Sequence, residues 1–258
     1  MNASQEYTGS IRLNRYLAQC GLGSRRSVEQ LIVSGHVLVN GQKVTTLGTS
    51  IDPATDQVAY QGKTIKVIRS HEYFAYHKPA GTIVTKSDPE GRETVFDAIE
   101  KDCHLDVRHC NHVGRLDVNS EGLLLLTNDG NLLHALTHPR FQIKKVYLVK
   151  IDRAMSAEHI AIMKNPGVES EGQMLRAGEV SLVRNAPDSG FWYEMVLYEG
   201  KNRQIRRMLD SFGYTIHRLV RSQFGGVKLA DLKPCALRHL TPREVASLAA
   251  TGYPVKRN

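Results

Sequence analysis

The run Leu123-Leu124-Leu125-Leu126 is uncharged and unbroken, and any fold of this chain must bury it. It is preceded by His112-Val113-Gly114-Arg115-Leu116-Asp117-Val118-Asn119-Ser120-Glu121-Gly122 and closed by the turn Asn128-Asp129-Gly130. Arg115 and Asp117 flank Leu116, so a carboxylate is held at the mouth of a buried strand. Gly114 and Gly122 leave the backbone room to bend or to approach another segment closely, which places Asp117 at the floor of a cleft rather than on an open surface.

A chain of 258 residues is long enough for one large domain or two. No stretch approaches the run of about 18 apolar residues that would span a membrane. The start, Met1-Asn2-Ala3-Ser4-Gln5-Glu6-Tyr7, lacks a basic end followed by an apolar segment. No secretory signal is expected, and the reading is a cytoplasmic protein without a membrane partner. The 34 basic residues against 26 acidic ones suit a protein whose partner is a polyanion, although basic enzymes of small substrates share that balance. Four cysteines, Cys20, Cys103, Cys110 and Cys235, are too scattered for a disulfide framework. Cys103, His104, His109, Cys110 and His112 crowd one segment, but their irregular spacing has no paired C-x-x-C, so no metal is expected and loop histidines are the simpler reading.

Residues 11 to 20 read as a helix, since Leu13, Tyr16, Leu17 and Cys20 recur at helical spacing before Gly21 and Gly23. Ser24 is an N-cap for a second helix with the apolar face Val28, Leu31 and Ile32, ended by Gly35. Asn40-Gly41 then marks a type I′ hairpin between Val37-Val39 and Lys43-Val44. Arg25 and Arg26 fall in the first turn of the second helix, where the helix dipole disfavours a cation by about 0.3–1 kcal/mol. A bound phosphate would offset that, and two solvated arginines tolerating a small penalty would explain it equally well.

The run Arg12-Leu13-Asn14-Arg15-Tyr16-Leu17 through Ser24-Arg25-Arg26, followed by Gly35-His36-Val37-Leu38-Val39-Asn40-Gly41, resembles the S4-type RNA-binding domain. That resemblance implies a small two-helix and hairpin module over residues 11–69, preceded by a disordered segment 1–10. It further implies contacts to the backbone of structured RNA through the face bearing Arg25 and Arg26. Composition changes near residue 70, where a flexible linker is expected, and residues 70–258 read as a second domain.

In that second domain His71–Tyr76 reads as a strand ending at Lys78-Pro79-Ala80-Gly81, and Val95, Phe96 and Ile99 as a short helix. Leu132, Leu133 and Leu136 give a helical patch stopped near His138-Pro139. Lys144–Ile151 is a strand by composition, with Tyr147, Val149 and Ile151 on one face. Taken alone, Tyr147 would be a core tyrosine. Ser156–Met163 is a helix and Phe191–Leu197 a strand. Ile205, Met208, Leu209 and Phe212 mark a further helix face capped by Gly213, and its first turns again carry cations: Lys201, Arg203, Arg206 and Arg207. Two cation-loaded helix starts in one chain point to a phosphate-bearing ligand. Thr241-Pro242-Arg243-Glu244 is a capping box that opens a terminal helix over 242–250.

Reactive groups are few. No Gly-rich phosphate loop with a lysine and no G-x-S-x-G turn is present, which argues against ATP chemistry and serine hydrolysis. A carboxylate pair of Asp117 and Glu121, as in glycosidases, is disfavoured because Asn119-Ser120 and Gly122 read as a turn; Glu121 is assigned to that turn. In this order, Gly114-Arg115-Leu116-Asp117, Lys145-Val146-Tyr147 and Glu199-Gly200-Lys201-Asn202-Arg203-Gln204-Ile205-Arg206-Arg207-Met208 resemble the pseudouridine synthases. The likeness is to the RsuA-type family, which acts on ribosomal RNA and carries an N-terminal S4-type domain.

The resemblance implies an α+β fold whose catalytic domain is a mixed, largely antiparallel sheet with flanking helices. It implies Asp117 as catalytic aspartate, Tyr147 as active-site tyrosine, Ile205 as an apolar packing residue and Arg206 as the cation paired bidentately with Asp117. Arg115 is expected to fill the space left by a flipped base or to hold a neighbouring phosphate, with a local structural ion pair as the equal alternative. Lys201, Arg203 and Arg207 are expected to grip the RNA backbone. No redox or group-transfer cofactor is required, because the isomerisation leaves the formula unchanged. Whether Asp117 acts as nucleophile or base stays open. The implied partner is ribosomal RNA, the large subunit favoured over small-subunit or transfer RNA, and a monomer is expected. The rival reading is a non-catalytic RNA-binding or ribosome-assembly protein. A nuclease or hydrolase built on the Cys103–His112 metal cluster is a second rival.

Overall fold

The computed structural model describes residues 9–67, 71–184, 186 and 188–252. The disorder expected over 1–10 and the linker expected near residue 70 fall largely outside these residues. The chain divides into two compact units, residues 1–71 and 72–258. Among the described residues, no helix is long and apolar enough to cross a membrane.

The first unit contains β1 (Ile11–Arg12), α1 (Leu13–Gln19), α2 (Arg25–Val33), β2 (Val37–Val39), β3 (Gln42–Val44), β4 (Ser50–Ile51), β5 (Val58–Tyr60) and β6 (Lys63–Thr64). The first helix starts two residues later than its periodicity suggests. Ile11 and Arg12 pair instead with Ile51 and Ser50, and the Leu13 N–H donates to the Thr49 carbonyl at 2.8 Å. The cap of α2 is as expected, with Ser24 Oγ accepting from the Ser27 N–H at 3.1 Å. Leu13, Tyr16 and Leu17 of α1 pack on Val28 and Ile32 of α2 and on Val37, Ile51 and Val58, so both helices bury their periodic face against the strands. The strands form an antiparallel sheet in the order β3-β2-β5-β6, and Asn40 and Gly41 both take positive φ, 52° and 80°, in the hairpin turn.

The second unit begins with β7 (Tyr73–Lys78), α3 (Val95–Cys103), β8 (Asn111–Val113), β9 (Glu121–Thr127) and α4 (Gly130–Thr137), followed by a 3-10 turn at Pro139–Phe141. It continues through β10 (Lys145–Ile151), α5 (Ala157–Lys164), the hairpin of β11 (Val168–Ser170) and β12 (Gln173–Leu175), β13 (Glu179–Leu182) and β14 (Phe191–Leu197). α6 (Gln204–Asp210), β15 (Ile216–Phe224), β16 (Val227–Lys228), β17 (Leu237–His239) and α7 (Pro242–Gly252) complete it. A nine-stranded sheet runs β13-β14-β10-β15-β9-β7-β17, with β16 added to β15 and β8 to β9. Its pairs are antiparallel except β15 with β9. The fold is therefore α+β with a mixed, largely antiparallel sheet.

The four leucines show why their run has no polar alternation. Leu124 and Leu126 pack with Phe74, Tyr76 and the α3 residues Val95, Phe96 and Ile99. Leu123 and Leu125 face the opposite side, toward Leu132 and Leu136 of α4 and Leu248 of α7. A central strand covered by helices on both faces must be apolar at every position. The other half of the sheet is covered by α5 and α6 over Val149, Ile151, Tyr193 and Met195. The capping box expected at Thr241 and Glu244 forms at the start of α7, and a second one, Thr94 with Asp97, opens α3.

Candidate active site

Asp117 lies in the turn between β8 and β9. Gly114 enters that turn with φ 68°, and His112 Nδ1–H donates to its carbonyl at 2.9 Å. Burial pushes the His112 imidazole down, so it serves as a neutral donor. Leu116 is buried in the α3-side core and anchors the turn, while its neighbour Asp117 stays half-buried beside a cleft. The Ser120 N–H donates back to the Asp117 carbonyl at 3.0 Å.

The turn is held from below by Lys78, which is 0% exposed. Its Nζ donates to the carbonyls of Pro79 at 2.9 Å, Val118 at 3.1 Å and Ser120 at 2.9 Å. Burial pushes this ammonium down to about 8, and the charges of Asp117 and Glu121 oppose the fall. Sequence reading missed Lys78. A lysine in an apolar strand before a Pro-Ala-Gly turn looks like a strand end, and its three acceptors are one and about forty residues away.

Arg206 reaches the turn from α6. Its Nε stands 3.4 Å from Asp117 Oδ2, while Nη2 donates to the Asn119 carbonyl at 2.8 Å and to Ser120 Oγ at 3.1 Å. The expected pairing of Arg206 with Asp117 is present, but it is not bidentate. One arm of the guanidinium is committed to the turn's own oxygens, so a single nitrogen faces the carboxylate, and Lys78 supplies the additional positive charge. Glu121 is engaged elsewhere, with Arg218 Nη2 at 2.7 Å and Nε at 3.1 Å from its two oxygens, in keeping with its assignment to the turn.

Tyr147 comes from β10, two strands away from β9. Its Cα partner on β15 is Arg221, and Arg221 in turn pairs with Gly122 on β9, so one row across the sheet aligns Tyr147 with the end of the Asp117 turn. Gly122 makes that row possible. Its φ is 103°, and a Cβ there would lie 2.4 Å from the Arg221 carbonyl oxygen and 2.7 Å from the Arg221 nitrogen. β9 and β15 approach this closely only around a glycine.

A cleft of about 90 Å³ is lined by Arg115, Asp117, Tyr147, Lys201, Arg203, Ile205 and Arg206, together with Leu116, Ser120 and Gln204. Seven of the ten residues expected at the site thus converge from three distant stretches of chain. Ile205 is both wall and core, packed with Met208 and Leu209. Arg115 and Arg203 are exposed and make no ion pair among the described residues. Lys201 is partly committed, to the Met174 carbonyl at 2.6 Å and Glu199 at 3.0 Å. The buried Gln204 braces the loop by donating to the Arg176 carbonyl at 2.9 Å and to Glu199 at 2.7 Å.

Arg207 does not join the cleft. Its guanidinium donates to Ser170 Oγ at 3.2 Å, the Ser170 carbonyl, Gln173 Oε1 at 3.3 Å and the Asn202 carbonyl at 3.3 Å, with Glu171 at 3.4 Å. A side chain so occupied ties α6 to the β11–β12 hairpin and has no free donors for a phosphate. Arg25 and Arg26, in the first unit, are exposed and make no ion pair among the described residues. The Cys103–His112 segment disperses. Cys103 Sγ donates to the Cys235 carbonyl, and His104 is the left-handed C-cap of α3. His109 and Cys110 meet Glu72, with one ligand atom from each lying within 4.8 Å of the others. His109 Nε2 is hydrogen-bonded to Glu72 Oε2, and burial pushes the Cys110 thiol up to about 12.

The sequence profile of the RNA pseudouridylate synthase family matches residues 72–211, and that of the S4 domain matches residues 11–58. A protein of Mycobacterium leprae described as an uncharacterized RNA pseudouridine synthase is 37% identical over 240 residues, covering 93% of each chain. A ribosomal large subunit pseudouridine synthase B of Pseudomonas aeruginosa is 35% identical over 243 residues, covering 92% of this chain and 61% of that one. Among solved structures, a pseudouridylate synthase superimposes with a TM-score of 0.63 at 25% identity, covering 92% of this chain and 99% of the other.

Proposed function

Because this chain belongs to the RNA pseudouridine synthase family and carries an S4 domain, we propose that it isomerises one specific uridine of large-subunit ribosomal RNA, with Asp117 as the catalytic group. The observation that carries the assignment of residues is the convergence of Asp117, Tyr147 and Arg206 in one cleft. The choice of the large subunit is supported by the Pseudomonas aeruginosa relative, which is named for it.

In this reaction the bond between uracil N1 and C1′ breaks, the base turns, and C5 joins C1′. C5 gives up a proton and N1 gains one, so nothing enters or leaves. The reaction calls for a carboxylate at Asp117, and Arg206 Nε stands 3.4 Å from its Oδ2. It acts on the sugar as nucleophile at C1′ or as base toward a sugar proton. Tyr147 supplies an aromatic face for the uracil and a phenol for the C5 proton. The uridine must leave its stack to reach the cleft, at a cost of a few kcal/mol. Arg115, Arg203 and Lys201 at the rim, with Arg25 and Arg26 on the S4 domain, provide the docking that offsets it. We read the protein as a monomer acting in the cytoplasm.

The test is a map of pseudouridines in RNA from cells with and without the gene. One site in large-subunit RNA is expected to disappear, and to stay absent when Asp117→Asn is supplied while RNA affinity is retained. Full modification by Asp117→Asn would sink the assignment of the aspartate, and an unchanged map would sink the substrate.

A further inference from the structure

Beside the Asp117 cleft lies a second cavity of about 170 Å³, which shares Arg115, Tyr147 and Gly200 with it. Its wall contains the cations Arg115, Lys145 and Arg221 and one carboxylate, Glu199. That carboxylate is already engaged by Lys201 at 3.0 Å and Gln204 at 2.7 Å. Arg221 is 2% exposed; its Nε donates to the Leu123 carbonyl at 2.8 Å, and its Nη2 has no hydrogen-bond partner. Lys145 donates to the Ile143 carbonyl at 2.8 Å. Both cations lean on the ring of Phe224, at 5.5 Å for Lys145 and 5.2 Å for Arg221.

Two cations held together at the edge of a core, one of them with an unused buried donor, are a costly arrangement unless an anion completes it. Burial and the charge of Arg221 push the Lys145 ammonium down to about 8, against the pull of Glu199. A guanidinium fork beside an ammonium point charge suits a tetrahedral phosphate oxyanion. The position selects which phosphate. Arg221 is the cross-strand partner of Tyr147, and Lys145 precedes Tyr147 by two residues on the same strand, so the cavity opens one side chain away from the place assigned to the uracil.

We propose that this cavity is a phosphate subsite, which takes the phosphodiester adjoining the target uridine on donors from Arg221 and Lys145, with Arg115 at the rim common to both spaces. The proposal rests on the RNA pseudouridine synthase reading. Its physical consequence is that the nucleotide is gripped at two points, base and phosphate, on opposite sides of Tyr147.

The test uses the full-length protein and four small probes: inorganic phosphate, uridine, uridine 5′-monophosphate and uridine 3′-monophosphate, titrated by calorimetry. One of the two monophosphates is expected to bind ten-fold or more tightly than uridine and to be displaced by inorganic phosphate. The advantage should vanish in Lys145→Met and Arg221→Met and persist in Lys228→Met, a surface control. Should Arg221→Met fail to fold, the half-buried Lys145 still decides the matter. Monophosphates that bind no better than uridine, or an advantage that survives Lys145→Met, would overturn the proposal. Binding of inorganic phosphate with no gain for either nucleotide would make this a free-anion site and overturn it too. Pseudouridine formation is assayed separately: if it continues while the phosphate advantage is absent, only the subsite is refuted, and if the map is unchanged while the advantage is present, only the function is.

Discussion

The two cation-loaded helix starts share a sequence signature and differ in what the fold makes of it. On α2, Arg25 and Arg26 project from the surface with no ion pair among the described residues, and any anion that meets them must come from outside. On α6, Arg206 and Arg207 are turned inward: one clamps the Asp117 turn, the other clamps the β11–β12 hairpin. The same sequence pattern leaves cations on the surface in one place and makes internal wiring in the other, and of the α6 pair only Arg206 opposes the helix dipole, since Arg207 lies in the last turn. Cations at a helix start therefore announce an anion or carbonyl oxygens to bind, but not whether these belong to a ligand or to the chain.

The strongest test of this contrast is Arg206→Met. It removes both the carboxylate partner and the brace on Asn119 and Ser120, and we expect kcat to fall by about 10²-fold or more while RNA affinity changes little. An equal loss from Arg25→Ala/Arg26→Ala would erase the distinction. Gly122→Ala comes next. The added methyl meets the Arg221 backbone at 2.4 Å, so β9 and β15 must separate, and a fall in Tm accompanied by loss of activity is expected by thermal melts and turnover assays.

Arg207→Met sharpens the comparison from inside α6. Its guanidinium carries charge-assisted hydrogen bonds, so a loss of about 1.5–3 kcal/mol in denaturant unfolding is expected, with RNA affinity of the folded fraction unchanged. Weaker RNA binding with unaltered stability would return Arg207 to the RNA-gripping set. The Arg25→Ala/Arg26→Ala variant should do the reverse, lowering the slope of log affinity against log salt by about 1–2 without moving Tm.

The smallest effect is on pH. Lys78 and Lys145 both sit near about 8 when folded, against 10.5 for an ordinary lysine. Between those values the unfolded chain holds more protons, so stability should rise with pH through this window. Urea midpoints taken across it should show the rise, flattened in Lys145→Met. A rise of the same size in that variant would remove Lys145 from the account.

Much of this molecule was legible from short stretches. The leucine run, the Asn40-Gly41 turn, the Ser24 cap and the Thr241–Glu244 box all formed as their patterns indicate, because each depends on neighbours within a few residues. Asp117, Tyr147 and Arg206 were readable through three motifs whose order resembles one family. Lys78 and Arg221 were not. A buried cation carries no periodic signal, and its acceptors, Val118, Ser120 and Leu123, lie roughly forty to a hundred residues away along the chain.

By itself the sequence determined the helices and those strands with a strong local pattern, such as the leucine run and Lys145–Ile151, and its motifs pointed to Asp117, Tyr147 and Arg206. Tertiary structure alone decided where charge is spent. Arg206 and Arg207 are adjacent on one short helix, and successive helical positions point about 100° apart. What each meets depends on the Asp117 turn and the β11–β12 hairpin, brought there by a sheet whose one parallel junction closes around Gly122. Local propensity acts over a turn or two of chain, whereas a buried charge is tolerated only where distant segments supply its partners.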